Sequence, residues 1–382
     1  MPITRGEAES PRSTVPVIRP TLPDMVEVTR VARESYRSGQ VTLGEVTSAL
    51  GERVQSFCDV AHAVAVSSCT SGLMLVFAAM GFSEGDEVIM PSFTFAATVQ
   101  AILWNRLTPV FVDCLPGTMT IDPDEVRRSI GGRTAAICPV TVFGLPPDLG
   151  ELEEISSKTG LPLICDSAQG LGSSHGGRPA GGFGCAEVFS LSPTKVVTAI
   201  EGGMITTDDG ELAGKLRSMR DYGKGPGGDE MIYNGLSARM SELHAAIGLL
   251  SLRNADKLIG SRMRLIGRYR RFVGTLPGCA VQQFPEDRTT NGNYFTILIG
   301  KSAKIDRDAS LAVLAGAGIE SKRYFFPPVH AQKIVADRPH RIVGELPNTW
   351  AASRASLALP LYAHMTEEQQ DRVCDALAKA LG

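Results

Sequence analysis

The sequence predicts an α/β protein in which a large domain with a mainly parallel, seven-stranded sheet is followed by a smaller C-terminal α+β domain. Between residues 60 and 210, short β-branched runs alternate with helical patterns, which indicates stacked layers of helices and sheet. Several runs are apolar throughout, as expected of strands that helices cover on both faces. The predicted strands are residues 63–67, 87–90, 108–112, 135–140, 162–165, 186–191 and 204–207.

The flanking segments complete the predicted domain organisation. Prolines in the stretch before residue 24 exclude a helix, so residues 1–25 are predicted to form an extended arm. The large domain then covers 26–255, and helical periodicity runs from 239 to 259 at its end. The small domain, 256–382, is predicted to contain strands over 294–299 and near 319–325 and helices over 307–317 and 367–381.

Composition excludes several classes of protein. A formal net charge of −3 gives no electrostatic reason to expect a nucleic acid polymer or an anionic membrane as partner. The first 14 residues lack the apolar core of a signal peptide, and the longest apolar stretch, 73–82, is shorter than the roughly 20 residues that span a bilayer. Eight scattered cysteines are expected to be reduced thiols in a cytoplasmic protein, and the histidines show no spacing typical of a metal site.

Two segments that follow predicted strands could hold an anionic, planar ligand. Residues 67–72 (Ser-Ser-Cys-Thr-Ser-Gly) open an apolar helix, so free backbone N–H groups and hydroxyls there could bind a phosphate. Asp166 ends an apolar strand, where α/β sheets bind their ligands, and its carboxylate could keep a pyridine nitrogen protonated. Taken singly, the more common explanations of these two features are ordinary helix capping for residues 67–72, and a helix cap or a structural ion pair for Asp166.

Two further segments complete a possible cofactor site. Residues 91–95 follow a strand and could present Phe95 to a planar ring, although an aromatic residue beside a strand is commonly part of the core. Lys195 lies in a strand-to-loop passage, with Ser190 five positions before it and Glu201-Gly202-Gly203 just after it, which suggests a Schiff-base lysine. Together, these segments supply the parts that pyridoxal 5′-phosphate (PLP) requires: a phosphate cup, a ring stack, an acid for the ring nitrogen and an amine for the aldehyde.

The chain resembles the DegT-type sugar aminotransferases, which belong to the fold-type I PLP-dependent enzymes. The resemblance extends over nearly the whole chain and its motifs occur in the family's order. They are residues 19–23, 38–44, 85–95, 109–113, 166–169, 201–204, 239–243 and 323–325, together with His330 and 359–361.

The resemblance implies a role for each candidate residue. Lys195 would bond covalently to the PLP aldehyde, Asp166 would pair with the pyridine nitrogen, Gln169 would donate to the phenolic oxygen, and Phe95 would stack on the ring. The implied phosphate ligands are Cys69, Thr70 and Ser190.

The resemblance also implies a homodimer with shared active sites, because in this family a loop of the second subunit completes the cofactor site. That loop corresponds here to Ser237 and Arg239. Tyr324 and His330 match the family's C-terminal pattern, and substrate contact and ordinary packing are equally compatible with their positions.

The chain departs from the family's pattern at three positions. Ser237 stands where asparagine is frequent in the cross-subunit loop, Cys69 stands where glycine is frequent in the phosphate cup, and Thr141 replaces a common histidine. The third departure affects the expected substrate and not the expected cofactor.

The implied reaction transfers an amino group from an amino acid, expected to be L-glutamate, to a keto sugar in amino-sugar biosynthesis. The expected acceptor is a nucleotide-linked 3- or 4-keto-6-deoxy sugar, and a cyclitol ketone is the alternative. A PLP enzyme that dehydrates sugars is disfavoured by Lys195, because such relatives carry histidine there. A regulatory homologue would be indicated by loss of the lysine or of the aspartate, and both are present.

Overall fold

A computed structural model describes residues 14–382, so the first half of the predicted arm lies outside the described residues. The helices are α1 (Met25–Ser38), α2 (Glu45–Cys58), α3 (Cys69–Met80), α4 (Ala96–Trp104), α5 (Pro123–Ser129), α6 (Leu149–Thr159), α7 (Gly210–Met219), α8 (Glu242–Arg253), α9 (Ala255–Val273), α10 (Arg307–Gly316), α11 (Lys333–Ala336), α12 (Pro347–Ala355) and α13 (Glu367–Leu381). The strands are β1 (His62–Val66), β2 (Glu87–Pro91), β3 (Thr108–Val112), β4 (Thr134–Ile137), β5 (Ile164–Asp166), β6 (Ser174–His175), β7 (Arg178–Pro179), β8 (Ala186–Ser190), β9 (Gly203–Thr207), β10 (Cys279–Val281), β11 (Arg288–Thr289), β12 (Phe295–Ile299), β13 (Arg341–Ile342) and β14 (Ser356–Leu359).

The central sheet contains the seven predicted strands. It consists of two four-stranded halves, ordered β1-β9-β8-β5 and β13-β3-β2-β4. Parallel bridges from Ile137 to Leu163 and from Val140 to Asp166 join the two halves. Strand β9 is antiparallel to both of its neighbours, β1 and β8, and these two therefore run in the same direction. All other pairs in the sheet are parallel, so the six remaining predicted strands run in one direction. The mainly parallel sheet is therefore confirmed, and the two-residue β13 is an edge strand that the sequence did not predict.

Helices cover both faces of this sheet, as the continuous apolar strands require. On one face, α3, α4 and α7 pack against strand side chains such as Val66, Phe111 and Val188. On the other face lie α2 and α8 at one end and α5 and α6 at the other. Two consecutive residues of β3, Val110 and Phe111, therefore belong to cores on opposite faces.

The C-terminal part of the chain forms its own packed layer. Strands β10, β12 and β14 make an antiparallel sheet whose core is shared with α9, α10 and α13. The extended residues before α1 join this layer, where Val15 bridges to Ile319 and the carbonyl of Val17 accepts from the amide of Leu361.

One sequence-based expectation for the C-terminal part of the chain is wrong. The segment near 319–325 forms isolated bridges at Ile319 and Lys322 followed by a turn, and not a strand. The helical pattern predicted over 239–259 is confirmed, and Asn254 divides it into α8 and α9. The side chain of Asn254 donates to the carbonyl of Leu250.

In residues 14–382, no helix is both long and apolar enough to cross a membrane. All eight cysteines are free thiols, and five of them are buried.

Candidate active site

The site lies at the edge of the sheet where β1, β2, β5 and β8 end. Since these four strands are parallel, their carboxyl ends meet at one edge, which is where open α/β sheets bind ligands. The segments singled out in the sequence follow these four ends, so the topology brings them together.

The first turn of α3 forms a cup with free backbone donors. Ser68 caps the helix by accepting from the amide of Ser71, and the Ser71 hydroxyl accepts from the amide of Ser68 in return. The amides of Cys69 and Thr70 have no acceptor among the described residues. A helix N-terminus with unpaired N–H groups is suited to a phosphate.

Gly203 on β9 allows the sheet to approach this cup closely. A Cβ added at Gly203 would lie 2.5 Å from the carbonyl carbon of Ser68 and 2.6 Å from the amide nitrogen of Cys69. Only glycine fits there, and this explains physically why the second residue after Glu201 is a glycine.

Asp166 ends β5 with its carboxylate buried. Its Oδ2 accepts from the Thr98 hydroxyl at 2.6 Å, and its Oδ1 accepts from the amide of Ala168 at 3.1 Å. Burial raises the pKa of this carboxyl, and the two hydrogen bonds and the charge of Lys195 oppose that rise. A cation placed against Asp166 would further favour the ionised form.

Gln169 is oriented by the backbone around it. Its side-chain oxygen accepts from the amide of Phe143 at 2.6 Å, so the side-chain NH₂ group remains as the donor available to a ligand. The side chain of Asn291 donates to the Gln169 carbonyl and thereby fixes the turn that carries this residue.

Lys195 is held on a short loop after β8. Its amide donates to the carbonyl of Ser192 at 3.1 Å, and the amide of Ser192 donates to the Ser190 hydroxyl. The Lys195 ammonium lies 5.9 Å from the centre of the Tyr294 ring, within the range of a cation–π contact.

These side chains line one pocket of about 290 Å³. Phe95 is 61% exposed at the pocket, where its ring face is free to stack on a ligand. The predicted site residues that line it are Cys69, Thr70, Phe95, Asp166, Gln169, Ser190, Lys195 and Tyr324.

Three predicted residues lie elsewhere. Ser237 is exposed, and Arg239 pairs with Asp221 at 3.3 Å and lies against the ring of Tyr222. His330 bonds to the Ser92 hydroxyl and packs edge-on against Trp350. For His330, this geometry matches ordinary packing and does not place the ring at the pocket.

The sequence-based reasoning missed two aromatic lining residues, Tyr294 and Phe325. Tyr294 meets Tyr324 edge-on with ring centres 5.0 Å apart, and burial together with Tyr294 raises the pKa of Tyr324. Phe325 stacks on Phe143 and meets Phe93 edge-on. The only sequence signal for Phe325 was its position in the 323–325 motif. Tyr294 belongs to no motif and lies directly before β12, so no sequence signal indicated it.

The departures at Cys69 and Thr141 both lie near Asp166. The Cys69 thiol is 3.6 Å from the carbonyl of Val188 and 4.0 Å from Oδ1 of Asp166, and burial raises its pKa. The amide of Thr141 donates to the Asp166 carbonyl, and its buried side chain does not line the pocket.

One group of potential metal ligands lies outside the pocket. Asp148, His175 and Asp287 bring ligand atoms close together. Arg288, however, donates to Asp148 at 2.8 Å and so already supplies a cation to this cluster.

The pocket fits PLP in its donor set. Unpaired amides and hydroxyls suit the phosphate, the NH₂ group of Gln169 suits the phenolic oxygen, the Asp166 carboxylate suits the pyridine nitrogen, and Lys195 suits the aldehyde. The fold and this pocket define the protein as a fold-type I PLP-dependent aminotransferase.

A comparison with protein families shows which family of aminotransferases the chain belongs to. The model of the DegT/DnrJ/EryC1/StrS aminotransferase family matches residues 24–378, and the chain belongs to this family.

Individual relatives cover most of the chain. GDP-perosamine synthase of Caulobacter vibrioides is 33% identical over 329 residues, which are 85% of this chain and 87% of that protein. A pleiotropic regulatory protein of Geobacillus stearothermophilus is 31% identical over 354 residues, 92% of this chain and 94% of that one. Among solved structures, DesI in the presence of its TDP-sugar product superposes with a TM-score of 0.89 at 35% identity and covers 97% of this chain and 94% of its own.

Proposed function

We propose that the protein transfers an amino group from L-glutamate to a nucleotide-linked 3- or 4-keto-6-deoxy sugar. The observation that carries this proposal is the similarity, at about one-third identity over most of both chains, to a GDP-perosamine synthase and to DesI, whose product is a TDP-sugar. The cyclitol ketone remains the alternative acceptor, because the pocket walls contributed by Phe95, Tyr294 and Tyr324 would accept either ring.

We assign the site residues by the group that each can offer. The amides of Cys69 and Thr70 and the Ser190 hydroxyl would hold the phosphate, and the NH₂ group of Gln169 would donate to the phenolic oxygen. When bound, PLP supplies an aldehyde that condenses with amines and a ring that withdraws electrons from the adjacent carbon.

Two residues would carry the chemistry of the transfer. The Lys195 amine would take the proton from the Cα atom of the amino acid and deliver it to C4′, the aldehyde carbon of the cofactor, as general base and then general acid. Asp166, buried and ionised, would keep the pyridine nitrogen protonated and thereby lower the barrier to that proton transfer.

A purely regulatory role has one observation in its favour, the 31% identity to a pleiotropic regulatory protein. A protein that had lost catalysis would not need both Lys195 and Asp166 in one pocket, and here both are present. We therefore propose that the protein is a catalyst.

We also propose that the protein works in the cytoplasm, because none of its eight thiols is paired in a disulfide.

A screen of half-reactions tests the substrate. After glutamate has converted the bound cofactor to its amine form, nucleotide-linked keto-6-deoxy sugars are expected to restore the absorbance of the aldehyde form. Inososes serve as the matched set of cyclitol ketones. Recovery with inososes alone would favour the cyclitol alternative, and failure of glutamate and all other amino acids to convert the cofactor would favour a regulatory role.

We also propose a homodimer in which each subunit completes the other's site. Ser237 and Arg239 lie outside the pocket of their own chain, next to a loop that exposes apolar side chains. Exposed apolar residues of this kind mark interaction surfaces. They include Tyr222, Met231, Ile232 and Tyr233 of the loop and Phe95 and Ile200 of the pocket region.

Mixing inactive variants tests the shared site. Lys195→Ala and Arg239→Ala subunits, combined by unfolding and refolding, are expected to recover up to about a quarter of wild-type activity, because half of the dimers are hybrids with one intact site. The matched control combines Lys195→Ala with Asp166→Ala. These two residues line the pocket of the same chain, so the hybrid gains no intact site. Equal recovery in both mixtures, or none in the first, would contradict the shared arrangement.

A further inference from the structure

A chain of two buried threonine hydroxyls ends on the Asp166 carboxylate. The Thr98 hydroxyl lies 2.6 Å from Oδ2 of Asp166, and the Thr94 hydroxyl lies 2.9 Å from that of Thr98. Thr94, Thr98 and Asp166 are 1%, 0% and 4% exposed, so water does not compete for these bonds. Neither threonine lines the pocket, and neither was singled out in the sequence.

The direction of donation follows from the proton inventory. An ionised carboxylate only accepts hydrogen bonds and each hydroxyl has one proton, so Thr98 donates to Asp166 and Thr94 donates to Thr98. The Phe95 carbonyl, at 3.3 Å from the Thr98 hydroxyl, is the more distant acceptor. A hydroxyl that itself accepts a hydrogen bond is polarised and donates more strongly.

The position of these threonines connects two parts of the pocket. Thr94 lies in the connection between β2 and α4, and Thr98 lies in the first turn of α4. Phe95, the residue just before this helix, is between them in the sequence. The backbone of Asp166 is fixed independently, because its amide donates to the carbonyl of Pro139 and its carbonyl accepts from Thr141. The hydroxyl of Thr98 therefore acts on the orientation of the carboxylate group and not on the strand.

We propose that Thr98, supported by Thr94, is a positioning residue that keeps Asp166 ionised and directs its carboxylate toward the cofactor ring. The proposal rests on the function proposed above for Asp166. Its physical basis is that burial by itself favours a neutral carboxyl, and a hydrogen bond donated to the charged form opposes this. In agreement, burial raises the pKa of Asp166 and the Thr98 hydroxyl lowers it.

The variant Thr98→Val removes the hydroxyl and keeps the shape of the side chain. The glutamate half-reaction of the holoenzyme is expected to slow by about ten- to a hundredfold, the loss typical of one hydrogen bond to a charged group. The acid limb of its pH profile is expected to move to higher pH, because the carboxylate protonates more readily without the hydroxyl. Thr98→Ser, which keeps the hydroxyl, is the matched control and should restore both values.

A double-mutant cycle separates this role from a general structural effect. In an Asp166→Asn background, Thr98→Val is expected to cause no further loss of rate and no further change in the pH dependence of the absorbance of bound PLP. Equal losses in both backgrounds, or a wild-type pH profile in Thr98→Val, would overturn the proposal.

Two further measurements keep the test decisive. If Thr98→Val does not fold, Thr94→Val should move the acid limb in the same direction by a smaller amount, and an unchanged profile in that variant would also overturn the proposal. The absorbance titration needs neither sugar nor amino acid. An enzyme that binds PLP but accepts no keto sugar would therefore refute the proposed substrate and still report on Thr98.

Discussion

Replacing Lys195 with alanine is expected to slow the glutamate half-reaction by about 10⁴-fold, the upper range for loss of one general acid–base group. Lys195 is the only lysine among the pocket residues of the described chain, so no second amine is placed to take over the proton transfer. The phosphate cup, Gln169 and Asp166 are unchanged by this substitution, and PLP should still bind without a covalent link. Stopped-flow absorbance with saturating glutamate measures the rate.

Borohydride provides a matched chemical check of the same residue. In the wild-type protein it should attach the cofactor permanently to the peptide that contains Lys195, and in the alanine variant it should leave the cofactor free. Lys215 and Lys224, which line other cavities, serve as internal controls and should carry no label. A label on any lysine other than Lys195, or an alanine variant with near-normal rates, would refute the assignment.

The site residues that could be predicted from the sequence are those that lie at or shortly after the end of a strand, because the strand determines their position. In a parallel sheet, whatever follows a strand lies at one edge, so the segments around Thr70, Phe95, Asp166 and Lys195 had to converge once the strands were recognised. Each local signal was weak when taken alone, and it was their occurrence together after successive strands that indicated a cofactor site.

The residues that could not be predicted reach the pocket by tertiary packing. Tyr294 and Phe325 come from the C-terminal part of the chain, and their position depends on how that part docks against Phe143 and Phe93. No local pattern encodes such docking. Thr98 was missed for a different reason, because a threonine inside an apolar helix gives no sign that its hydroxyl meets a carboxylate 68 positions further along the chain.

The incorrect strand near 319–325 has a related cause. Its residues are compatible with an extended backbone, and Ile319 and Lys322 do form isolated bridges. The chain then turns so that Tyr324 and Phe325 face the pocket, with the Phe325 carbonyl accepting from the buried hydroxyl of Ser353. The contacts at the pocket outweigh the strand preference of the segment.

Replacing Asp166 with asparagine is expected to lower the rate of the glutamate half-reaction by about a hundredfold or more, the range seen when one preorganised electrostatic group is removed. Asparagine has the same shape, and its side-chain oxygen can still accept from the amide of Ala168. Its NH₂ group then faces the Thr98 hydroxyl and can donate to it, so the pocket should keep its form and PLP should remain bound. The neutral amide no longer stabilises a protonated pyridine nitrogen, and proton transfer by Lys195 then meets a higher barrier.

The design of this experiment separates charge from structure. Asp166→Glu keeps the charge but lengthens the side chain in a site that is only 4% exposed, so it reports on packing, whereas Asp166→Asn reports on charge. Retention of PLP by the asparagine variant should be measured by its absorbance, and its unfolding temperature should stay close to that of the wild type. A hundredfold loss of rate with both quantities preserved assigns the effect to the carboxylate charge. A half-reaction at the wild-type rate would mean that the ring nitrogen does not depend on Asp166, and the proposed mechanism would fail at that step.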